Sequence, residues 1–150
     1  MKIIIILTVY LCSNMVGQES KHPLSKFGKV VTVKKIEQVG KEDVAVVDFT
    51  PTNLSKSSSN NLKGLVSRLK KMKKLKLIDM RNCFINDNEA YVFLHWLGSL
   101  PVTVYNDVEG SIWDLSDPKV VKYLRDIATP LLKKNKKTPF LFDKNPNFPK

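Results

Sequence analysis

The sequence predicts an α/β domain in which a short, mostly parallel sheet is covered by helices. Short β-branched runs alternate with amphipathic stretches at least three times after Asp43. The apolar residues of one such run also recur, at the same spacing, in an earlier run. This alternation indicates repeated βα units, because parallel strands need a crossover and a helix is the usual one.

The first residues have the layout of a cleaved secretory signal. Lys2 precedes an apolar run from Ile3 to Cys12, and Gly17 offers a small residue at the expected cut. That apolar run is about half as long as the roughly twenty residues that span a bilayer. We therefore predict a signal peptide at residues 1–17 and an exported protein, either periplasmic or secreted.

The chain is basic, with 25 Lys and Arg against 14 Asp and Glu. This excess favours attraction to anionic surfaces and carries no information about the fold. After the predicted cut Cys83 is the remaining cysteine, so an apolar core rather than a disulfide must stabilise the domain. Export, with neither a zinc pattern nor an aromatic strand that could stack bases, predicts no nucleic-acid partner.

Val30–Val33 and Val44–Phe49 are short β-branched runs bounded by polar residues, which is typical of strands. Strands are also predicted at Leu75–Met80, Val102–Tyr105 and Pro139–Asp143. We expect a flexible segment at residues 18–29, a single domain at 30–143 and an unfolded tail at 144–150.

Three helices are predicted between and after these strands. They cover Asn61–Lys74, where leucines recur at helical spacing, then Asn88–Leu100, and a third stretch that Asp117 and Pro118 open. Ser59 or Asn60 is the expected N-cap of the first helix. Pro130 is expected to kink or end the third helix early.

One apolar pattern occurs twice. Leu75, Ile78, Met80, Cys83 and Ile85 satisfy L-x-x-L-x-L-x-x-C-x-L, and thirty-one residues earlier Val44, Val47, Phe49, Thr52 and Leu54 occupy the same places. Val102, Val104 and Asp107 begin a third unit, and Phe140, Phe142 and Asn145 a degenerate fourth.

From Val44 to Val104 the chain resembles the leucine-rich repeats of the ribonuclease-inhibitor type. The run from Ile85 to Leu94 looks like the segment that leads into the helix of such a unit, with Glu89 where that pattern prefers glycine. The resemblance implies one strand and one helix in each unit, and an open sheet face that contacts protein partners.

The same residues are also similar to a STAS-like domain, the fold of anti-sigma-factor antagonists. Asp79 and Asp87 have the spacing of that family's two acids, but Asn88 and Glu89 replace its serines. The phosphorylation switch of that family could not operate here. Sequential strand order favours the repeat, an antiparallel strand favours the STAS-like fold, and another three-layer α/β domain remains open.

The pleat of the strands assigns faces to their residues. Ile78 and Met80 should bury against the helices, while Asp79 and Arg81 project from the other face. Parallel stacking makes Asp48 a lateral neighbour of Asp79. The predicted binding residues on this open face are Asp48, Thr50, Asp79, Arg81, Thr103 and Tyr105.

Acids at the carboxyl ends of strands raise an enzymatic alternative. Asp48, Asp79, Asp107 and Asp143 follow strands, where α/β sheets bind ligands, so a metal-dependent hydrolase using Asp48 and Asp79 must be weighed. Aspartates at such places are more often turn and cap residues.

A nucleophile is also hard to find in the sequence. Cys83 and His95 could form a thiolate pair, but His95 lies in mid-helix beside Trp96, as structural histidines do. There is no phosphate-binding glycine loop and no serine elbow. No catalytic residue, metal ligand or cofactor is predicted.

These observations favour an exported, non-enzymatic binding module that contacts a protein through the open sheet face. Its partner is an unknown protein or an anionic envelope component, with membrane contact at most peripheral. Besides the hydrolase, a second alternative to the binding module is a basic envelope-surface protein acting through Lys63–Lys76 and Lys133–Lys137.

Overall fold

The computed structural model describes residues 21–134 and confirms the α/β class with a mostly parallel sheet. In this part of the chain the strands are β1 (Val30–Thr32), β2 (Val46–Asp48), β3 (Leu77–Asp79), β4 (Thr103–Tyr105) and β5 (Ile112–Asp114). The α-helices are α1 (Ser59–Lys71), α2 (Asp87–Leu97) and α3 (Pro118–Lys134). Short 3₁₀ helices lie at Pro23–Phe27, Ile36–Gln38, Leu54–Lys56 and Val108–Gly110.

Several sequence predictions lie outside the described residues. They are the signal peptide at 1–17, the strand Pro139–Asp143, the fourth repeat unit, the tail at 144–150 and the lysines of Lys133–Lys137 beyond Lys134. These stay predictions, as does export.

The strands stand in the sheet in the order in which they occur in the chain. β1 to β4 are parallel, and β5 pairs with β4 in the antiparallel direction. Sequential order is the feature that favours a repeat architecture, and the antiparallel edge strand is the one that favours a STAS-like fold. The structure contains both features, so neither resemblance is decided.

The core lies between one face of the sheet and the three helices. The register partners that face the helices are Val31, Val47, Ile78, Val104 and Trp113. α2 packs against both α1 and α3. Leucines on α1, such as Leu62 and Leu65, are fully buried here, and each contributes roughly 1.5–3 kcal/mol to folding.

The helix boundaries correct two details of the sequence prediction. Ser58, one residue before the expected caps, is the N-cap of α1, and its Oγ accepts the N–H of Asn61 at 3.3 Å. The cap of α3 is confirmed, because Oδ1 of Asp117 accepts the N–H of Lys119 at 2.8 Å. Of the two outcomes expected at Pro130, a kink or an early end of α3, the early end is wrong. The helix continues to Lys134 because Leu131 and Leu132 still pack against the core.

Four of the five apolar positions in the repeat pattern are buried, but Ile85 is 59% exposed. The equivalent residue Leu54 is fully buried, and its N–H donates to the carbonyl of Cys83 in the loop after β3. After β4 the chain instead reverses into β5, so it does not lay an equivalent loop beside Ile85. Its predicted place in the core is therefore wrong.

Residues 21–29, which we predicted to be flexible, pack on the sheet face opposite the helices. They contain the 3₁₀ helix Pro23–Phe27, whose Leu24 is buried with Val46 of β2 and Leu77 of β3. We call residues 21–29 the N-terminal strap. The residue types did not predict this packing, because two large apolar side chains, Leu24 and Phe27, are too few for a periodic signal.

Within residues 21–134, none of the helices has the length and apolar character needed to cross a bilayer.

Candidate functional site

The face opposite the helices carries two rows of side chains. The row at the carboxyl ends of the parallel strands contains Thr32, Asp48, Asp79, Tyr105 and Ile112. The row before it contains Val30, Val46, Leu77, Thr103 and Asp114. Asp48 and Asp79 are therefore register partners, as the pleat predicts, and Tyr105 is the next partner along the row.

The two aspartates are buried rather than exposed. Asp48 is 4% exposed and Asp79 is 1% exposed, so the expectation that their carboxylates project as contact residues is wrong. Each carboxylate is covered by another side chain, and sequence spacing did not predict this cover. His22 of the strap lies over Asp48, and Arg81 folds back over Asp79.

The carboxylate of Asp48 joins the strap to the sheet. Its Oδ2 accepts a hydrogen bond from Nε2 of His22 at 3.0 Å and one from the hydroxyl of Thr32 at 3.3 Å. Nδ1 of His22 accepts the N–H of Leu24 at 3.1 Å. The neutral imidazole with its proton on Nε2 satisfies both bonds, since Nδ1 must be unprotonated to accept.

Hydrogen bonds keep Asp48 ionised despite its burial. Burial alone would raise the pKa of Asp48, but the bonds from Thr50 and His22 outweigh it and lower the pKa below its ordinary value. The N–H of Thr50 donates to Oδ1 at 2.8 Å. Asp48 is thus a buried anion that links the end of β1, the turn after β2 and the strap.

Asp79 and Arg81 form a two-pronged ion pair. Nε of Arg81 donates to Oδ1 at 2.9 Å, and Nη2 donates to Oδ2 at 2.6 Å. The guanidinium carbon also lies 5.7 Å from the centre of the Tyr105 ring. The side chain of Arg81 is 50% exposed, so a positive group with a fixed orientation stands on the open face.

The same turn follows three consecutive strands. The N–H two residues further on donates to Asp48 (from Thr50), to Asp79 (from Arg81, 3.2 Å) and to the side chain of Asn106 (from Val108, 2.8 Å). Side chains of this type stabilise turns by such bonds. The interpretation of Asp48 and Asp79 as turn residues is confirmed. Asn106, the residue after Tyr105, forms the corresponding turn after β4.

Asp107, which sequence spacing had placed among the strand-end acids, has a different role. Its Oδ2 accepts the backbone N–H of Asn82, a residue in the left-handed region with φ of 60°. Asp107 therefore links the turn after β4 to the turn after β3.

The same hydrogen bonds bear on the hydrolase hypothesis. Both oxygens of Asp79 accept bonds from Arg81, and both oxygens of Asp48 accept bonds from neighbouring donors. A metal ion at these carboxylates would have to displace those donors. Within residues 21–134 no three His, Cys, Asp or Glu residues are grouped so that they could hold a metal.

Cys83 and His95 lie in different surroundings. Cys83 is buried, its thiol donates to the carbonyl of Phe49 at 3.1 Å, and burial followed by the charges of Asp79 and Asp48 raises its pKa. His95 is half-buried on α2, where burial and then Arg125 of α3 and Lys70 of α1 lower its pKa. A thiol with a raised pKa is a poor nucleophile.

The exposed part of this face lies over β4 and β5, beyond the strap. We call it the open strip, and it consists of Arg81, Thr103, Tyr105, Ile112 and Asp114. Thr103 and Tyr105 are half-buried, and Ile112 is 67% exposed. Ile112 was missed because no strand was predicted there. In the run from Ser111 to Leu115 the apolar residues Ile112 and Trp113 are adjacent, so the two-residue alternation that indicates a strand is absent.

Comparisons of the chain with protein-family models, with curated proteins and with solved structures found no match.

Proposed function

We propose that this chain is an exported binding module that contacts a protein partner through the open strip. The observation that carries the proposal is the pairing of Tyr105 with the exposed Ile112, beside the fixed guanidinium of Arg81. Exposed apolar surface that adjoins aromatic and arginine side chains is typical of protein contact sites.

The residue types of the open strip suit protein recognition. Tyrosine and arginine are enriched among the residues that dominate binding energy at interfaces. Arg81 is already oriented by Asp79 and Tyr105, so it would lose little side-chain freedom when a partner binds. Its bonds to Asp79 raise the pKa of Arg81, so it stays positive. The strip offers a preorganised cation beside apolar surface.

Two of the predicted binding residues lie under other side chains and are not proposed to contact the partner. Asp79 is buried under Arg81, and Asp48 is buried under His22. The strap covers the β2 and β3 part of the same face, since Leu24 packs on Val46 and Leu77. Contact is therefore proposed at β4 and β5, with Thr50 outside the contact area.

Site-specific crosslinking tests this proposal in the native host. A photoreactive phenylalanine analogue replaces Tyr105 in one variant and Lys41, an exposed residue before β2, in a control. We expect a discrete crosslinked protein from position 105, and its loss when Arg81→Ala and Ile112→Ala are added. Equal crosslinking at position 41, or none at position 105 in a folded variant, contradicts the proposal.

A second candidate function rests on a different surface. Residues 59–76 contain seven Lys and Arg and no Asp or Glu. Six of these, all but Arg68, are exposed lysines on α1 and the following loop, and Nζ of Lys63 lies 5.5 Å from the ring of Trp96. A basic surface with an indole suits peripheral contact with an anionic lipid surface.

Vesicle binding tests this second function. Binding to vesicles of mixed phosphatidylglycerol and phosphatidylcholine should be lost as the salt concentration rises, because salt screens the attraction between exposed lysines and anionic lipids. The variant Lys63→Glu, Lys70→Glu, Lys71→Glu should not bind. The matched control Lys34→Glu, Lys35→Glu, Lys41→Glu, on exposed lysines near β1, should bind. Equal losses in both variants would indicate net charge alone.

A further inference from the structure

Among residues 21–134, no strand pairs with the outer edge of β5, which lies next to the open strip. We propose that this edge accepts an extended basic segment of the protein partner as an additional strand. The inference rests on the proposed function, because it specifies how a partner would engage the same surface. Addition of a strand supplies affinity through backbone hydrogen bonds and specificity through alternate side chains.

The register shows which backbone groups of β5 face outward. The carbonyl of Ser111 accepts the N–H of Asn106 at 3.3 Å, and the N–H of Leu115 donates to the carbonyl of Val102 at 3.1 Å. Backbone bonding alternates along an antiparallel strand, so Trp113 also faces β4, and Ile112 and Asp114 face away from it. These two residues present their backbone at the edge.

The outward backbone groups are available. Among residues 21–134, no hydrogen bond is formed by the N–H and C=O of Ile112 or by the N–H of Asp114. The carbonyl of Asp114 accepts the N–H of Asp117 at 3.2 Å, so pairing would stop there. Three outward groups over a three-residue strand fit a short extended segment.

The two edges of the sheet differ in how they resist strand addition. β1 is flanked by the exposed lysines Lys29, Lys34 and Lys35, and lysine is the residue type that commonly protects strand edges. β5 is flanked in the chain by Asp107 and Asp117, and residues 107–117 contain no lysine or arginine. Strand addition is therefore assigned to β5.

Charge defines the chemistry of the added segment. Residues 106–118, which include β5, contain four Asp and Glu and no Lys or Arg. Asp114 stands in the open strip next to Thr103, its register partner. A segment with Lys or Arg in alternation with β-branched residues would pair its cations with this acidic surface and pack an apolar side chain on Ile112.

β5 is also held rigidly enough to serve as a template. The ring of Trp113 stacks on Tyr123 with centres 6.0 Å apart, and it meets the edge of Tyr91 at 6.3 Å. The hydroxyls of both tyrosines donate to Oε1 of Glu109, at 2.5 Å from Tyr91 and 3.1 Å from Tyr123. This aromatic cluster fixes the strand against α2 and α3, so little order would be lost on pairing.

Two short probe peptides test the inference by nuclear magnetic resonance on the full chain. One alternates lysine with valine and the other alternates glutamate with valine. We expect the lysine peptide alone to shift the β5 amide signals. At saturation it should slow amide exchange at Ile112 and Asp114 by about tenfold or more, because both N–H groups become bonded.

Two substitutions at one position separate backbone pairing from side-chain contact. Ile112→Pro removes an outward N–H and leaves the bonds to β4 intact, which edge strands tolerate. Ile112→Thr keeps that N–H and a β-branched side chain. The proline variant should bind the lysine peptide about tenfold or more weakly, and the threonine variant within about threefold of the parent.

If Ile112→Pro does not fold, a lysine peptide with N-methylated valines serves instead, since it lacks alternate donors. It should fail to bind the parent chain.

Three outcomes overturn the inference. They are a lysine peptide that shifts signals of residues 59–76 but not of β5, equal binding of both peptides, and slow exchange at Ile112 and Asp114 in the free chain. The last would show that the chain itself or a second copy covers the edge. If position 105 crosslinks to a partner but the lysine peptide does not shift the β5 amide signals, strand addition is rejected. The proposed binding module is then still supported.

Discussion

The guanidinium of Arg81 donates two hydrogen bonds, of 2.9 and 2.6 Å, to the carboxylate of Asp79, and a single residue separates the two in the chain. Asp79 is 1% exposed, whereas the side chain of Arg81 is half exposed. The buried negative charge thus orients a positive group at the surface. If the open strip binds a partner as proposed, a charge swap at this pair would disturb both binding and folding.

The first prediction concerns the energy of this pair. Arg81→Ala should lower the free energy of unfolding by roughly 1–3 kcal/mol, because the buried carboxylate of Asp79 loses its two hydrogen bonds from the guanidinium group. Asp79→Asn should cost a similar amount, and the double variant should cost less than the sum. Urea denaturation of the four proteins measures the coupling.

The exposed pair of Lys122 and Asp126 on α3 supplies the control for that cycle. Lys122→Ala should leave the urea midpoint nearly unchanged, since surface pairs contribute little. Strictly additive effects of the Asp79 and Arg81 substitutions would show that the two side chains do not act as a pair.

The second prediction concerns acid stability through Asp48. Its pKa is lower in the folded chain than its ordinary value, because donors outweigh burial. The unfolded chain therefore takes up this proton first as pH falls, and stability present above about pH 4 is lost as pH drops through the folded pKa.

Urea midpoints measured at a series of pH values check this sign. The variant Asp48→Asn should be less stable near neutral pH and should show a shallower loss below about pH 4. His22→Ala, which removes one donor, should give an intermediate profile. Parallel profiles for Asp48→Asn and the parent would exclude Asp48 as a source of the acid sensitivity.

The third prediction tests how tightly the strap is packed. A Cβ on Gly28 would lie 2.7 Å from Cβ of Ala45, and the backbone there has φ of 125°. Gly28→Ala should therefore displace the strap and destabilise the chain. Gly110→Ala is the matched control, because φ is 61° but nothing lies within 4 Å.

Amide exchange of residues 21–29 and thermal melting distinguish the two glycine variants. Gly28→Ala should speed exchange in the strap and lower the melting temperature by several degrees, whereas Gly110→Ala carries the backbone strain alone. If both variants lose the same stability, the close contact with Ala45 has no energetic weight.

The fourth prediction concerns Cys83. Burial raises the pKa of its thiol, and the thiol donates to the carbonyl of Phe49. At pH 8 it should therefore react with a thiol reagent only when the chain unfolds. Mass spectrometry of Cys83 after iodoacetamide treatment, with and without urea, measures this, and prompt labelling of the folded chain would contradict the buried position.

Local patterns predicted the elements of the domain. The leucine spacing of α1, the Asp117–Pro118 start of α3 and the β-branched cores of β2 and β3 were all confirmed. The pleat also placed Asp48 beside Asp79. These features follow from residues a few positions apart, which the 3.6-residue and two-residue periods relate directly.

The site was predicted only in part, because exposure is not a local property. Spacing identified Asp48, Asp79, Arg81 and Tyr105, but it could not show that the two aspartates are covered. His22 reaches Asp48 across twenty-six residues of chain, and the spacing of Arg81 gives no sign that its side chain folds back.

The sequence by itself determined the α/β alternation, the amphipathic helices and the inward residues of the strands, since these depend on periodic burial. The tertiary structure alone decided that the strap covers part of the sheet, that Ile85 and Ile112 are exposed, and that β5 pairs with β4 as an antiparallel edge strand. Those outcomes depend on which distant segments meet, and the free energy of such contacts appears only when the strands have paired.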